Sequence, residues 1–153
     1  MSAEARLREL GVELPEVMPP AGSYVPAVRT GNLVFVSGQG PMGVGEPILG
    51  KVGGNLTLEQ GVEAARIVGL NLLAVLRAEL GSLDRVVRIM KLLGMVNCAP
   101  GFNQTPAVIN GCSDLLVEIF GDAGRHARSA VGMAELPFDI SVEIEMVVEV
   151  SDG

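Results

Sequence analysis

Arg128 is the residue of this sequence best suited to bind a small organic acid. It lies three positions after Arg125 in an otherwise acidic chain. Both arginines follow a flexible stretch at 121–124 that contains two glycines. A guanidinium is always charged, and its paired N–H donors match the two oxygens of a carboxylate. A salt bridge to one of the chain's own acids is the alternative role. His126, between the two arginines, could titrate near neutral pH, although nothing in the sequence orients its ring.

Glu143 and Glu145 form a second pair with chemical potential. They are two positions apart in a segment of β-type alternation, so both side chains lie on one face of a strand. A partly buried carboxylate at this point could hold a water molecule or transfer a proton. The alternative is a solvated polar stripe along the strand.

Ser37, Gly38 and Gln39 end a β-type run and are followed by Gly40. Glycine allows a ligand to approach main-chain N–H groups closely, and the neighbouring serine or glutamine can add a hydrogen bond. The segment lacks the lysine of a phosphate-binding loop and the spacing of a dinucleotide-binding loop, so an ordinary turn is the alternative. Tyr24, the only tyrosine, is either a hydroxyl for a ligand or a half-buried packing residue.

Composition limits the classes of function. The chain has 153 residues, of which 48% are apolar, and a formal net charge of −7. Its length and apolar content predict one packed domain. Its few basic residues are scattered, which argues against nucleic acid as the main partner. The N-terminus is charged and no apolar stretch reaches the roughly 18 residues of a membrane helix, so we expect a cytoplasmic protein that does not enter the membrane.

The cysteines and the single histidine argue against a metal site. Cys98 and Cys112 have no CxxC spacing, and we expect both to be reduced. His126 has no second histidine or cysteine at ligand spacing, so we expect no four-ligand structural metal.

The apolar periodicity predicts an α/β domain behind an N-terminal arm. A short helix at 3–10 and a proline-rich extended segment make up residues 1–22, and the domain proper occupies residues 23–151. Thr57 and Gln60 form a capping-box pattern, and Thr105 is the expected N-cap of a later helix. We expect strands at 24–28, 33–37, 85–96, 128–136 and 142–150, helices at 57–80 and 105–120, a glycine-rich loop at 38–55 and a link at 97–105.

The order of the elements in the domain, ββαβαββ, predicts one sheet with two helices packed on one face. The apolar runs at 33–36 and 92–96 require burial on both faces of that sheet. Because no helix is left for the second face, we expect another copy of the chain to cover it.

Several of these segments together resemble the YjgF/Rid (reactive intermediate deaminase) family. The resemblance rests on Tyr24 before a hairpin, SGQ at 37–39, RSAV at 128–131, LP at 136–137 and VEIE at 142–145, and it covers residues 24–150. It implies a chorismate-mutase-like α+β subunit that forms a homotrimer with its sites between neighbouring subunits. The implied reaction is hydrolysis of a reactive enamine or imine, such as 2-aminoacrylate, to a 2-keto acid and ammonia without a cofactor.

The same resemblance implies roles for individual residues. Arg128 would bind the substrate carboxylate, Gly38 would offer its main-chain N–H, and Glu143 would position or activate a water molecule. The pocket would be lined by Tyr24, Ser37, Gln39, Asn110 and Ala130.

The sequence departs from the family pattern at three points. Ala130 replaces a cysteine that is frequent in the deaminases, and both the arm at 1–22 and the longer link at 97–105 are expected to rim the cleft. A trimer that binds small organic acids without catalysis is the second hypothesis. An endoribonuclease is the third, and the acidic charge disfavours it.

Overall fold

The computed structural model of the protein describes residues 1–152, which form three α-helices and five β-strands. The helices are α1 (Ala3–Leu10), α2 (Leu58–Leu80) and α3 (Thr105–Phe120). The strands are β1 (Ala27–Thr30), β2 (Leu33–Gln39), β3 (Val86–Asn97), β4 (Ala127–Met133) and β5 (Val142–Val150). Short 3₁₀ turns at Leu83–Arg85, Gly121–Gly124 and Pro137–Asp139 precede β3, β4 and β5. The fold is therefore mixed α+β.

The five strands form one sheet in the order β1-β2-β5-β3-β4. β3 and β4 are parallel and are joined by α3, whereas every other neighbouring pair is antiparallel. The C-terminal strand β5 therefore lies between β2 and β3, and β4 forms an edge. This order decides which of the candidate residues can meet within one chain.

Helices α2 and α3 pack together on one face of the sheet. The alternation of β5 confirms the predicted pattern, because the alternating apolar residues are buried on this face: Val142, Ile144, Met146, Val148 and Val150. The capping box of α2 is also confirmed, since the Thr57 hydroxyl accepts from the Gln60 N–H and the Gln60 side chain accepts from the Thr57 N–H. Gly81 ends this helix in the left-handed conformation with φ 82°.

The other face of the sheet has no helix over it. Phe35 and Val28 are 46% and 55% exposed there, and Val131 on the edge strand is also exposed. Leu93 and Met95 of β3 are only half-buried, although their neighbours Leu92 and Val96 on the helix side are buried completely. An uncovered apolar face of this kind marks an interaction surface.

The N-terminal helix belongs to the same hydrophobic core. Leu7 and Ala3 are buried against it, and α1 packs on α3. The Glu4 carboxylate accepts two hydrogen bonds from Arg77 and one from the Leu83 N–H. Burial alone would raise the pKa of Glu4, but these bonds outweigh it and lower the pKa below its usual value. The fold thus contains a third helix beyond the two that cover the sheet.

Three local predictions are corrected by the structure. The first strand begins at Ala27 and not at Tyr24, because the Tyr24 N–H is used in a turn and Pro26 has no N–H to donate. The fourth strand ends at Met133 and not at 136, where the carbonyl of Ala134 instead accepts from Lys51.

The N-cap prediction for α3 is wrong by one residue. The helix begins at Thr105 itself, after Gln104, which caps it without a side-chain hydrogen bond. The Thr105 hydroxyl donates instead to the carbonyl of Ala130 at 3.0 Å. This bond ties the start of α3 to the edge strand β4.

Candidate functional site

The candidate residues fall into two groups at different places on the sheet. Tyr24, Gly38, Gln39 and Glu143 line one cavity at the end of β2 and the start of β5. Arg128, Ala130 and Asn110 belong to the edge strand β4 and the adjacent face of α3. Ser37 lies beside the first group but outside its cavity.

The cavity has a volume of about 370 Å³ and mostly apolar walls. The arm contributes Met18 to Ala21 to the lining, and Met42, Phe138 and Ile140 also line the cavity. The sequence predicted that the arm rims the cleft, and the arm does line this cavity. The Tyr24 hydroxyl is not free within the chain, because it accepts a hydrogen bond from the Ala21 N–H at 3.2 Å.

Gly38 and Glu143 are in direct contact at the polar end of the cavity. The pairing of β2 with β5 shifts between Val36 and Gln39, which is the signature of a β-bulge at the intervening residues. A Cβ at Gly38 would lie only 2.7 Å from Glu143 Oε2. A larger residue here would therefore force the Glu143 side chain to move, whereas the backbone conformation of Gly38 does not itself favour glycine.

The environment of Glu143 favours the protonated carboxyl. Burial raises the pKa of Glu143 above its usual value, and the negative charge of Glu145 raises it further. A cavity-lining carboxylate with a raised pKa is a stronger base than an ordinary carboxylate, so it is suited to accept and return a proton.

Ser37 faces a separate depression on the uncovered face of the sheet. Its hydroxyl donates to the Val25 carbonyl at 2.7 Å. The depression, about 470 Å³, is also lined by Phe35, Lys91 and Glu145. The Ser37 hydroxyl is therefore bonded to the segment that carries Tyr24, and Ser37 does not line the cavity of Glu143.

Arg128 is held by two neutral oxygens of α3. Its Nη1 donates to Ser113 Oγ at 2.9 Å, and its Nη2 donates to the Pro106 carbonyl at 3.1 Å. None of the ion pairs among residues 1–152 involves Arg128. The guanidinium is thus oriented without its charge being neutralised, and the salt bridge considered as its alternative role is not formed within the chain.

His126 continues the network behind Arg128. Its Nδ1 is 2.7 Å from the Gly124 carbonyl, which only accepts, so Nδ1 carries the proton. Burial lowers the pKa of His126, and the nearby charge of Arg128 adds to that effect against the opposing bond to Gly124. The neutral ring therefore presents an unprotonated Nε2, to which the Ser113 hydroxyl donates at 2.9 Å while it accepts from Arg128.

Asn110 and Ala130 lie next to this network. Asn110 is exposed on α3, one turn after Pro106 and three residues before Ser113, so it shares their helix face. Ala130 follows Arg128 by two positions on β4 and points to the same side of the strand. Ser113 was not predicted as a site residue. The signal that could have found it is its position three residues after Asn110.

Arg128 and Glu143 lie on opposite faces of the sheet. Arg128 is paired with the fully buried Leu92, so it points to the side of the helices. Glu143 is paired with Met95 and lies between the buried Val142 and Ile144, so it points to the uncovered side. The two strands are also two positions apart in the sheet, about 10 Å at the usual strand spacing. One chain therefore cannot bring both residues to the same small ligand.

The link at 97–105 borders a different depression from the cavity of Glu143. That depression is lined by Lys51, Cys98, Phe102 and Glu135.

Cys98 and Cys112 are both free thiols, as predicted, and burial raises the pKa of Cys112 to about 12. No helix among residues 1–152 is both long and apolar enough to cross a membrane.

The chain belongs to the YjgF/chorismate-mutase-like family. The model of that family, described as "YjgF/chorismate_mutase-like, putative endoribonuclease", matches residues 4–149. This match confirms the resemblance seen in the sequence and extends it to include most of α1.

Individual relatives match nearly the whole chain. Protein TCP17 of Trypanosoma cruzi is 44% identical over 150 residues, which are 97% of this chain and 94% of that protein. The 2-iminobutanoate/2-iminopropanoate deaminase of Dermatophagoides farinae is 32% identical over 139 residues, 90% of this chain and 93% of that protein. The crystal structure of Atu1372 from Agrobacterium tumefaciens, a protein of unknown function, has a TM-score of 0.89 and 44% identity, covering 97% of this chain and 92% of that one.

Proposed function

We propose that the protein is a homotrimeric, cofactor-independent hydrolase of 2-imino acids and their enamine tautomers, with 2-aminoacrylate as the simplest substrate. The observation that carries this proposal is the Glu143 carboxylate, which lies against Gly38 and lines a largely apolar cavity. The relationship of this chain to a 2-iminobutanoate/2-iminopropanoate deaminase supports the same reaction. We expect the reaction to take place in the cytoplasm.

The proposed site combines residues of two subunits. Arg128 points away from Glu143 within one chain, so a neighbouring copy has to supply the guanidinium that faces the Glu143 cavity. The exposed apolar residues on the uncovered sheet face, including Phe35 and Val28, support association through that face. Closed symmetry with a repeated two-chain contact then gives equivalent sites around the ring.

In this site the imine carbon is already electrophilic, so the protein has to position it and to manage protons. The substrate carboxylate is held by Arg128, whose guanidinium is oriented by Ser113 and Pro106. Glu143 takes a proton from water as the water oxygen adds to the carbon of the protonated imine, which gives a neutral carbinolamine. The carboxyl then gives this proton to the carbinolamine nitrogen. The C–N bond breaks as Glu143 takes the hydroxyl proton, the 2-keto acid forms, and ammonia leaves with that proton as ammonium.

The direct test is ammonia release from 2-aminoacrylate generated in situ. Arg128→Ala is expected to lower kcat/KM by roughly 30- to 4,000-fold, because a charged group hydrogen-bonded to the ligand contributes about 2 to 5 kcal/mol. Arg125→Ala is the matched control, since Arg125 is exposed and pairs only with Asp122. Unchanged turnover in Arg128→Ala would remove this arginine from the mechanism.

The same preparation separates the other two functions. A non-catalytic binding trimer gives a higher Tm with 2-keto acids but no turnover of any imine. A ribonuclease gives RNA cleavage and a steep dependence of RNA binding on salt. Analytical ultracentrifugation of the wild type is expected to give a trimer, and a monomer would contradict the shared site.

A further inference from the structure

We infer that the extended part of the N-terminal arm, residues 11–22, fits the site to imino acids with a bulky apolar side chain, branched aliphatic or aromatic, in preference to the smallest imines. This inference rests on the proposed function and narrows its substrate class. It depends on three features of the Glu143 cavity: its size, the anchoring of the wall that the arm provides, and the position of Phe138.

The cavity is larger than a three-carbon imine needs. Its volume of about 370 Å³ falls within the range of roughly 300 to 1,000 Å³ that is typical of small-molecule sites. Beyond the carboxylate of Glu143 and the backbone at 38–40, its walls are formed largely by proline, methionine, phenylalanine and isoleucine. An apolar cavity of this size discriminates by the hydrocarbon that it removes from water.

The arm forms a fixed wall. Its start is anchored by α1, through the buried Leu7 and the bonds of Glu4 to Arg77 and Leu83. It then runs over the glycine-rich loop, where a Cβ at Gly43 would lie 3.7 Å from Pro15 and 3.9 Å from the sulfur of Met18.

The end of the arm is equally constrained. Pro19 and Pro20 restrict the backbone, and the Ala21 N–H is bonded to Tyr24. A wall ordered before the ligand arrives favours the ligand that fits it, because little conformational entropy is lost on binding.

Phe138 lies at the open side of the cavity in an unusual conformation. Phe138 and Asp139 both have positive φ, at 57° and 59°, a region that bulky residues rarely adopt. The ring is 76% exposed although it lines the cavity. A bulky apolar substrate side chain offers more surface to cover this exposed ring than a methyl group does.

The test compares imines generated in situ by an amino-acid oxidase from leucine, phenylalanine and alanine. The kcat/KM for the leucine- or phenylalanine-derived imine is expected to exceed that for the alanine-derived imine at least ten-fold, since a single extra methylene in an apolar pocket discriminates by about ten-fold or more. Equal or faster turnover of the alanine-derived imine would overturn the inference while leaving the proposed function intact.

Met18→Ala tests the contribution of the arm. It is expected to lower kcat/KM for the leucine-derived imine several-fold more than for the alanine-derived imine. Val17→Ala is the matched control, because Val17 is the adjacent arm residue, is exposed and does not line the cavity. The same selectivity ratio in Met18→Ala as in the wild type would contradict the role of the arm.

A binding measurement keeps the inference testable if no imine is hydrolysed, which would be the failure of the proposed function. Calorimetric titration with 4-methyl-2-oxopentanoate, phenylpyruvate and pyruvate is expected to give at least ten-fold tighter Kd for the first two, and Met18→Ala should reduce that difference. Pyruvate binding as tightly as the larger acids would refute the inference whatever the catalytic result.

Discussion

The Glu143 cavity and the Arg128 network show two ways in which one small chain prepares a charged group. Glu143 is placed among apolar walls and beside a second acid, which destabilises its charge. Arg128 is placed at a sheet edge among neutral oxygens, which orient its charge and leave it uncompensated. Each region lacks what the other supplies, and they lie on opposite faces of the sheet. In the proposed shared site, each half is thus ordered by neighbours within its own chain.

Among the substitutions in the Glu143 cavity, Glu143→Gln is expected to have the largest effect on catalysis. Loss of the proton acceptor should lower kcat by about 10²- to 10⁴-fold, with a smaller change in KM. Imine hydrolysis with the alanine-derived substrate measures this. A variant that keeps wild-type kcat would show that the carboxylate is not the proton acceptor.

The same substitution also tests how Glu143 and Arg128 differ in their effect on the stability of the folded protein. Because the folded-state pKa of Glu143 is raised, the folded protein holds more protons than the unfolded chain between the usual and the raised pKa. The unfolding free energy therefore falls as pH rises through that window, and ionised Glu143 opposes folding above it. Glu143→Gln should accordingly raise Tm at pH 7, whereas Arg128→Ala should not. Thermal unfolding of both variants checks this, and a lower Tm in Glu143→Gln would contradict the assignment.

Gly38→Ala is expected to displace the Glu143 carboxylate without removing it. The new Cβ would stand 2.7 Å from Oε2, so one of the two groups has to move, and a small misplacement can lower activity by about 10²-fold. Gly40→Ala should lose less, since the three atoms nearest to its Cβ belong to Ile140 and the closest of them lies at 3.2 Å. Partial recovery in Gly38→Ala combined with the shorter Glu143→Asp would identify the contact as the cause, and equal losses in both glycine variants would argue against it.

Glu145→Gln tests the acid pair by a shift in pH dependence. The charge of Glu145 helps to raise the pKa of Glu143, so its removal should move the acidic limb of the kcat/KM profile to lower pH. Glu149→Gln, a substitution further along the same strand, should leave the limb in place. A limb that stays where it is in Glu145→Gln would assign it to another group.

Ser113→Ala is expected to have the smallest effect on activity. It changes the network that orients Arg128. It removes one of the two bonds that orient the guanidinium, which contributes about 0.5 to 1.5 kcal/mol, so KM should rise by up to about ten-fold with little change in kcat. Ser113→Thr retains the hydroxyl and should restore KM. A fall in kcat with unchanged KM would point to a role in the chemical step instead.

Much of the fold follows from local patterns in the sequence. The capping box at Thr57 and Gln60 was sufficient to predict the start of α2, and the alternation of β5 was sufficient to predict its buried face. Each pattern depends only on residues that are close in the chain. The start of α3 could not be read from Thr105 alone. Its hydroxyl bonds to Ala130 on another strand, and that contact exists only after β3 and β4 have paired.

The separation of Arg128 from Glu143 within one chain depends on the strand order, which no local pattern specifies. The period of two places Glu143 and Glu145 together on one face of β5, but the face of Arg128 follows from its register with Leu92 on β3. Ser113 and the arm residue Met18 were likewise invisible as site residues, since each gains its role from a neighbour distant in the sequence.

The most direct test of the shared site is subunit mixing. Arg128→Ala and Glu143→Gln are each expected to be nearly inactive alone, and the two variants are unfolded and refolded together in equal amounts. If each site takes its arginine from one chain and its glutamate from the next, about a quarter of the sites in randomly mixed trimers are intact and activity returns to about that fraction of a refolded wild type. Mixed oligomers as inactive as the separate variants would contradict the account.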